Sequence, residues 1–234
     1  MPVTSSAAQN SADYYSAYIP KLRPLGTNPP EDQEVAKGDE LVLASPRGAT
    51  PFETMKYFAD IKEMNAQGEH YNAGWRSRWN PVVVRFFECG GMTPSGDETF
   101  WCAASLNWVL ARSGFVGTCS SSSSSFRCVG RETKDPSPGD IVVFKHKDED
   151  LARAGRGHVG LFISRTGASI NVLGGNQVKA GHHAVCEQTI DGRIPLVFHS
   201  FRAVDSLVRL SGSNELCPCK PAINRYCPPT INRK

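Results

Sequence analysis

Thr99-Phe-Trp-Cys102-Ala-Ala-Ser-Leu-Asn-Trp-Val-Leu110 is the stretch that decides how this chain folds. Apolar residues recur at helical spacing from Ala103 to Leu110, which predicts a helix with one buried face and Cys102 in its first turn. Backbone N–H groups at a helix start are unpaired, and the helix dipole favours negative charge there. The sequence therefore predicts a lowered pKa for the Cys102 thiol, which would make it a nucleophile.

A histidine that could activate this cysteine begins a later apolar run, Gly157-His158-Val-Gly-Leu-Phe-Ile163. The run is β-prone, so His158 is expected at the start of a strand. Taken singly, a cysteine on an apolar helix is usually a small buried hydrophobe, and a histidine at a strand start is usually structural. Their order favours catalysis, because a Pro-Gly-Asp turn and strand separate them and a strand ending in Gly-Gly-Asn176 follows.

Helices come before strands in this sequence. We predict helices over 51–61, with Thr50 as the N-cap, and over 81–87, entered through a proline. Strands are expected over 141–144, 158–164, 168–173 and 196–200. Helices followed by an antiparallel meander, without alternating βαβ units, indicate an α+β fold in which the nucleophile helix packs on an antiparallel β-sheet.

Three regions divide the chain by composition. Residues 1–50 are rich in proline, serine and small polar residues and are expected to form an arm without its own core, with a brief helix over 11–18. Residues 51–210 carry the patterned segments and form the expected domain. Residues 211–234 are rich in cysteine and proline and read as a tail. The serine tract 119–125 is expected to be a surface loop inside the domain.

A third polar residue is needed to orient the imidazole of His158. Asn171 and Asn176 both lie on the strand that follows His158. A turn at Thr166-Gly167 would put Asn171 nearly opposite the histidine in an antiparallel hairpin. Parity is uncertain by one residue, so strand pairing alone does not choose between the two asparagines.

Four motifs together resemble the CHAP amidase/peptidase family, within the NlpC-type papain-like peptidoglycan hydrolases. They are Phe-Trp-Cys-Ala-Ala-Ser-Leu-Asn-Trp, Pro-Gly-Asp-Ile-Val-Val-Phe, Gly-His-Val-Gly-Leu-Phe and Val-Leu-Gly-Gly-Asn-Gln, within residues 99–177. The resemblance implies a minimal papain-like fold and hydrolysis of an amide bond in the cell-wall peptide. On the family pattern Cys102 matches the nucleophile, His158 the base and Asn176 the third residue, which ranks Asn176 above Asn171. Trp101 stands where the family often has glutamine, so the Cys102 backbone N–H is the default oxyanion donor.

Composition excludes several other classes of function. The net charge of +3 arises from intermixed signs without a basic block, so we expect no nucleic-acid partner. No stretch approaches the roughly 18 apolar residues of a membrane span. Neither a cofactor nor a metal site is expected, because the cysteines lack the paired spacing of zinc sites. The other histidines read as solvated or structural, with His199 as the next base to consider.

Eight cysteines are many for a cytosolic enzyme of this size. With Cys102 free, up to three disulfides can form, or all the cysteines can be reduced. Cys119 with Cys128 is one candidate pair. The tail cysteines could pair with each other or with Cys186.

The start of the chain lacks the basic and apolar regions of a secretory signal. We therefore expect a monomeric peptidoglycan hydrolase, an amidase or endopeptidase, that is made in the cytoplasm. Specialised secretion, such as a type VI effector route, would deliver it as an antibacterial toxin to the periplasm of a target cell, and a cognate immunity protein would be a partner. The alternatives are a phage endolysin, a papain-like protease or deamidase acting on a protein, and a non-catalytic binder.

Overall fold

The computed structural model describes residues 28–90, 94, 96–97 and 99–210. Its helices are α1 (Asp32–Ala44), α2 (Pro51–Ala59), α3 (Pro81–Phe86), α4 (Cys102–Arg112) and α5 (Glu149–Arg153). Its strands are β1 (Arg131–Thr133), β2 (Ile141–His146), β3 (Gly157–Thr166), β4 (Ser169–Lys179), β5 (His182–Ile190) and β6 (Leu196–Ala203). Short 3-10 helices cover Phe87–Cys89, Ser123–Cys128 and Val204–Ser206. In this part of the chain no helix is both long and apolar enough to cross a bilayer.

One six-stranded sheet in the order β1-β6-β2-β3-β4-β5 organises the fold, and every neighbouring pair in it is antiparallel. Helix α4 packs on β3 and β4. Val143, Val159 and Leu161 join the large core formed with the helices, whereas Val142 and Phe162 belong to a second apolar cluster. Because successive side chains alternate across a strand, these clusters lie on the two faces of the sheet. The fold class is α+β, as predicted.

Local sequence signals explain where the predicted helices begin. Thr50 Oγ1 accepts a hydrogen bond from the Glu53 N–H at 3.2 Å, and Glu53 Oε2 accepts one from the Thr50 N–H at 2.8 Å. This capping box stands directly before the proline that opens α2. Asn80 Oδ1 likewise accepts from the Val82 N–H at 2.8 Å at the start of α3. The predictions for both helices, and for the helix that Cys102 opens, are confirmed.

Residues up to 50 were expected to carry no helix other than the brief one over 11–18, and helix α1 corrects that expectation. Leu41 and Val42 are buried in the main cluster, and α1 packs against α3. Arg78 donates to both carboxylate oxygens of Glu34, from Nε at 2.8 Å and from Nη2 at 2.7 Å. The proline and serine content of residues 1–50 argued against a helix here. Helix α1 is stabilised by tertiary contacts rather than by its own weak amphipathic pattern. The helix expected over 11–18 and the tail 211–234 lie outside the described residues.

Besides α1, two strands and one more helix were not predicted from the sequence. β1 and β5 occupy the two edges of the sheet, and α5 interrupts the charged segment between β2 and β3. β5 begins at His182. The serine tract leads into the 3-10 helix Ser123–Cys128, which packs on β2 and β3 inside the domain.

Candidate active site

Helix α4 brings Cys102 to the middle of the fold. Cys102 is the first residue of the helix, is a free cysteine and is only 5% exposed. Trp101 is the N-cap, and it makes no side-chain capping bond. Before the helix, Asp97 Oδ2 accepts hydrogen bonds from the backbone N–H groups of Trp75 and Asn80, each at 2.8 Å. The N–H groups in the first turn of α4 include those of Cys102 and Ala103, which favour the thiolate form of Cys102.

The Cys102 sulfur lies among backbone amides. Hydrogen bonds from the N–H groups of Val159, Ala103 and Cys102 itself favour the thiolate, but burial outweighs them and raises the pKa of the thiol to about 11. The prediction of a lowered pKa is therefore wrong for this state of the protein. The physical reason is that the desolvation free energy of a buried thiolate is larger than the stabilisation that three amide dipoles provide. Cys102 is a neutral thiol at neutral pH.

His158 is the second residue of β3 and is 7% exposed. Burial lowers its pKa to about 4, against the opposing effect of a hydrogen bond with Gln177. Its Nε2 lies 3.2 Å from Gln177 Oε1. The imidazole is consequently neutral at neutral pH and can accept a proton.

Gln177 fixes which nitrogen of His158 carries the proton. Its Nε2 donates to the carbonyl oxygens of Val172 at 3.2 Å and Gly174 at 3.3 Å, and also to that of Cys186. Three carbonyl acceptors identify that end of the side chain as the amide NH₂, so Oε1 is the atom that faces the histidine. An amide oxygen can only accept, which means that His158 Nε2 donates and the lone pair is on Nδ1. This tautomer suits a general base that uses Nδ1.

Gln177, and not the predicted Asn176, is the polar residue that contacts the His158 imidazole. Gly174 pairs with Cys186 and Gln177 pairs with Ala184, so two residues of β4 face one of β5 at this point. Asn176 lies in this β-bulge with a left-handed φ of 59°. One extra residue reverses which side chain points to which face, and Gln177 rather than Asn176 thereby meets His158.

Asn171, the alternative third residue, also contacts other groups. Its register partner on β3 is Ser164 rather than His158. Its Nδ2 donates to Ser164 Oγ at 2.8 Å, and its Oδ1 accepts from Thr189 Oγ1 at 2.6 Å. Asn171 therefore links three strands and takes no part in orienting the histidine. A Gly-Gly pair inside a strand pattern is a bulge signal, and it was the one sequence feature that could have pointed to Gln177.

The structure places Cys102 beside β3, the strand that carries His158. Helix α4 packs on β3, and the backbone amide that most favours the Cys102 thiolate is that of Val159, the residue next to the histidine. The segments that precede helix α4 and strand β3 also contact each other, because the Arg156 guanidinium lies 5.5 Å from the centre of the Phe100 ring. Among the described residues, no hydrogen bond joins Cys102 Sγ to the His158 ring. His199 lies on β6 with its Nδ1 2.8 Å from Ser200 Oγ.

Most of the described cysteines are oxidised. Cys89, Cys119 and Cys128 are disulfide-bonded, whereas Cys102 and Cys186 are free and buried. The expectation that Cys186 could pair with a tail cysteine is therefore wrong. Within the described ranges no cluster of three metal-ligating side chains occurs. Comparison with protein-family models, curated proteins and solved structures finds no match for this chain.

Proposed function

We propose that this chain is a cysteine-dependent amide hydrolase with Cys102 as nucleophile, His158 as general base and Gln177 as the residue that positions His158. The observation that carries the proposal is the convergence of a free thiol at a helix start with a histidine strand whose base is held in one tautomer. The packing of α4 on β3, the effect of the Val159 amide on the Cys102 pKa and the His158–Gln177 hydrogen bond support this arrangement.

The protonation states favour attack by a thiol that loses its proton during the reaction. With the pKa of Cys102 at about 11 and that of His158 at about 4, the resting pair is neutral. Sγ attacks the amide carbonyl carbon while its proton passes to His158 Nδ1, and the imidazolium then protonates the leaving amine. Water hydrolyses the thioester that remains. The N–H groups at the start of α4 stabilise the negative charge that develops beside Cys102.

The proposed substrate is the peptide part of bacterial peptidoglycan, and the proposed setting is the periplasm of a target cell reached by specialised secretion. The motif resemblance supports the substrate class. The disulfide-bonded cysteines support an oxidising compartment, because such bonds are rare in the cytosol. A papain-like architecture and a cognate immunity protein belong to the same proposal.

Digestion of purified sacculi tests the reaction. We expect the full chain to release muropeptides that mass spectrometry identifies, and Cys102→Ala to release none. Cys186→Ala is the matched control, since Cys186 is the second free buried cysteine among the described residues and lies on β5. Sacculi left intact by folded protein, or equal release by Cys102→Ala, would contradict the proposal. Cleavage of casein but not of sacculi would instead indicate a protease.

A non-catalytic binding protein is the second candidate. It is favoured by the neutral, buried Cys102 and by the lack, in the described part of the chain, of a hydrogen bond between its thiol and the imidazole. Co-sedimentation with sacculi separates the candidates, because a binder would sediment equally well before and after Cys102→Ala while releasing nothing.

A further inference from the structure

A second concave site lies between the segment 61–77 and the β4–β5 turn. It is a cavity of about 450 Å³, within the range of small-molecule sites. Its apolar wall includes the buried residues Ile61, Ala73 and Ala184. Neither Cys102 nor His158 lines it, so the proposed reaction leaves its purpose unexplained.

The charged lining of this cavity is predominantly basic. Lys62 and Arg76 come from the segment 61–77, and Lys179 comes from the end of β4. None of the three forms an ion pair among the residues that the structure describes. The one lining carboxylate, Glu69, already accepts from the Arg76 N–H at 2.7 Å and from Asn65 Nδ2 at 3.1 Å. The cavity lining therefore carries an excess of positive charge, and among the described residues no carboxylate forms an ion pair with its three cations.

Two histidines add hydrogen-bonding capacity to the same lining. Arg76 Nη2 donates to His182 Nε2 at 3.4 Å, which ties the guanidinium to the β5 side of the cavity. His70 also lines the cavity.

The backbone of the cavity wall favours carboxylate over phosphate. Phosphate sites in loops use free backbone N–H groups. Here the amides of Gly68, Ala73 and Gly74 already donate to Asn65 O, His70 O and His183 O. Recognition is left to side chains above an apolar wall, which suits carboxylates on a hydrocarbon body. Because the cations come from two separate segments, one ligand can bridge them with two carboxylates.

We propose that this cavity binds a small organic dicarboxylate, held by Arg76 and Lys62 on one side and by Lys179 on the other. The proposal does not depend on the hydrolase activity. Binding would connect the segment 61–77 to the β4–β5 turn and stabilise the folded protein by mass action.

Calorimetric titration of the full chain with glutarate, at constant ionic strength, tests the site. We expect glutarate to bind, and the uncharged isostere glutaramide not to bind. Arg76→Gln and Lys179→Gln should each weaken binding about tenfold, as expected for loss of a charge-assisted hydrogen bond. Both side chains are exposed, so these variants should fold. Lys134→Gln removes the same charge outside the cavity and should bind as the parent does.

Three outcomes would overturn the proposal. They are no binding of glutarate at millimolar concentration, binding by the two cavity variants as tight as that of Lys134→Gln, and tighter binding of inorganic phosphate than of glutarate. The last result would show that the cavity recognises a compact anion rather than a dicarboxylate.

Discussion

Burial determines the charge of both proposed catalytic groups at the residue scale. The pKa of Cys102 is raised and that of His158 is lowered, and desolvation is the main cause in each case. A helix start was expected to supply a thiolate, but the sulfur is too far from solvent for dipoles alone to stabilise its charge. The proposed enzyme would therefore resemble a general-base system in its resting state rather than a preformed thiolate–imidazolium pair.

Stability should depend on pH through His158. Its pKa is about 4 in the folded protein and 6.5 in the unfolded chain, so only the unfolded chain takes up a proton between these values. The stabilisation is complete above pH 6.5, decreases as pH falls to about 4, and amounts to about 3 kcal/mol. Urea unfolding across this range measures it. His158→Gln should flatten the dependence and the exposed-site control His183→Gln should not; equal curves for the parent and His158→Gln would contradict the assignment.

Removing Gln177 should impair both folding and reaction. Gln177→Ala leaves the His158 N–H and three carbonyls without this partner, which should lower the free energy of unfolding by about 2–3 kcal/mol. Muropeptide release should fall about 100-fold, because the imidazole loses its fixed tautomer. The pH at which activity declines on the acid side should also move, which a purely structural role would not cause. Asn171→Ala is the control and should keep the parental pH profile.

Asn176 provides the complementary test of the third residue. Its φ of 59° suits glycine better than any other residue, so Asn176→Gly should retain stability, whereas Asn176→Ala should cost about 1 kcal/mol. Muropeptide release by Asn176→Gly should equal that of the parent. Loss of release with unchanged thermal unfolding would return the positioning role to Asn176.

The contact between α4 and the β4 bulge is the decisive one at the element scale. A Cβ on Gly175 would lie 2.5 Å from Trp101 Cζ3 and would also meet Ser105 Oγ, both buried groups. Glycine therefore lets the strand approach the start of the nucleophile helix closely. The bulge and the glycine have separate effects. The bulge brings Gln177 to His158, and the missing side chain at Gly175 lets β4 pack closely against the start of α4.

Gly175→Ala should lower the free energy of unfolding by about 2–3 kcal/mol, because the added methyl group overpacks this contact. Gly167→Ala is a suitable control at the β3–β4 turn. Nothing lies within 4 Å of its Cβ, so it should cost only about 1 kcal/mol of backbone strain at its φ of 60°. Denaturant unfolding monitored by tryptophan fluorescence measures both variants. Similar decreases in the free energy of unfolding for the two variants would show that Gly175 is not tightly packed.

At the scale of the whole molecule, the described cysteines should differ in their reactivity toward alkylating reagents. In native protein without reductant, Cys102 and Cys186 should react slowly with iodoacetamide because both are buried. Guanidinium alone should expose these two to alkylation, whereas Cys89, Cys119 and Cys128 should need reductant as well. Peptide mass spectrometry reads each site. Rapid native alkylation of Cys102, or alkylation of Cys119 without reductant, would contradict the described arrangement.

The sequence by itself determined the local elements of this protein. The Thr50 cap with Pro51, the Asn80-Pro81 entry and the apolar period after Cys102 each predicted a helix that forms, because these signals act within a few residues. The order of the patterned segments, with helices first and β-prone apolar runs after them, also predicted the α+β class. Patterns of this kind need no information about distant parts of the chain.

Only the tertiary structure decided the chemistry of the candidate site. The choice of Gln177 over Asn176 depends on one extra residue in a strand ladder, and neither side chain carries that information. Helix α1 forms in a segment of weak pattern because its apolar side chains have α3 to pack against. The pKa values of Cys102 and His158 follow from what surrounds them, since desolvation is a property of the folded protein and not of a motif.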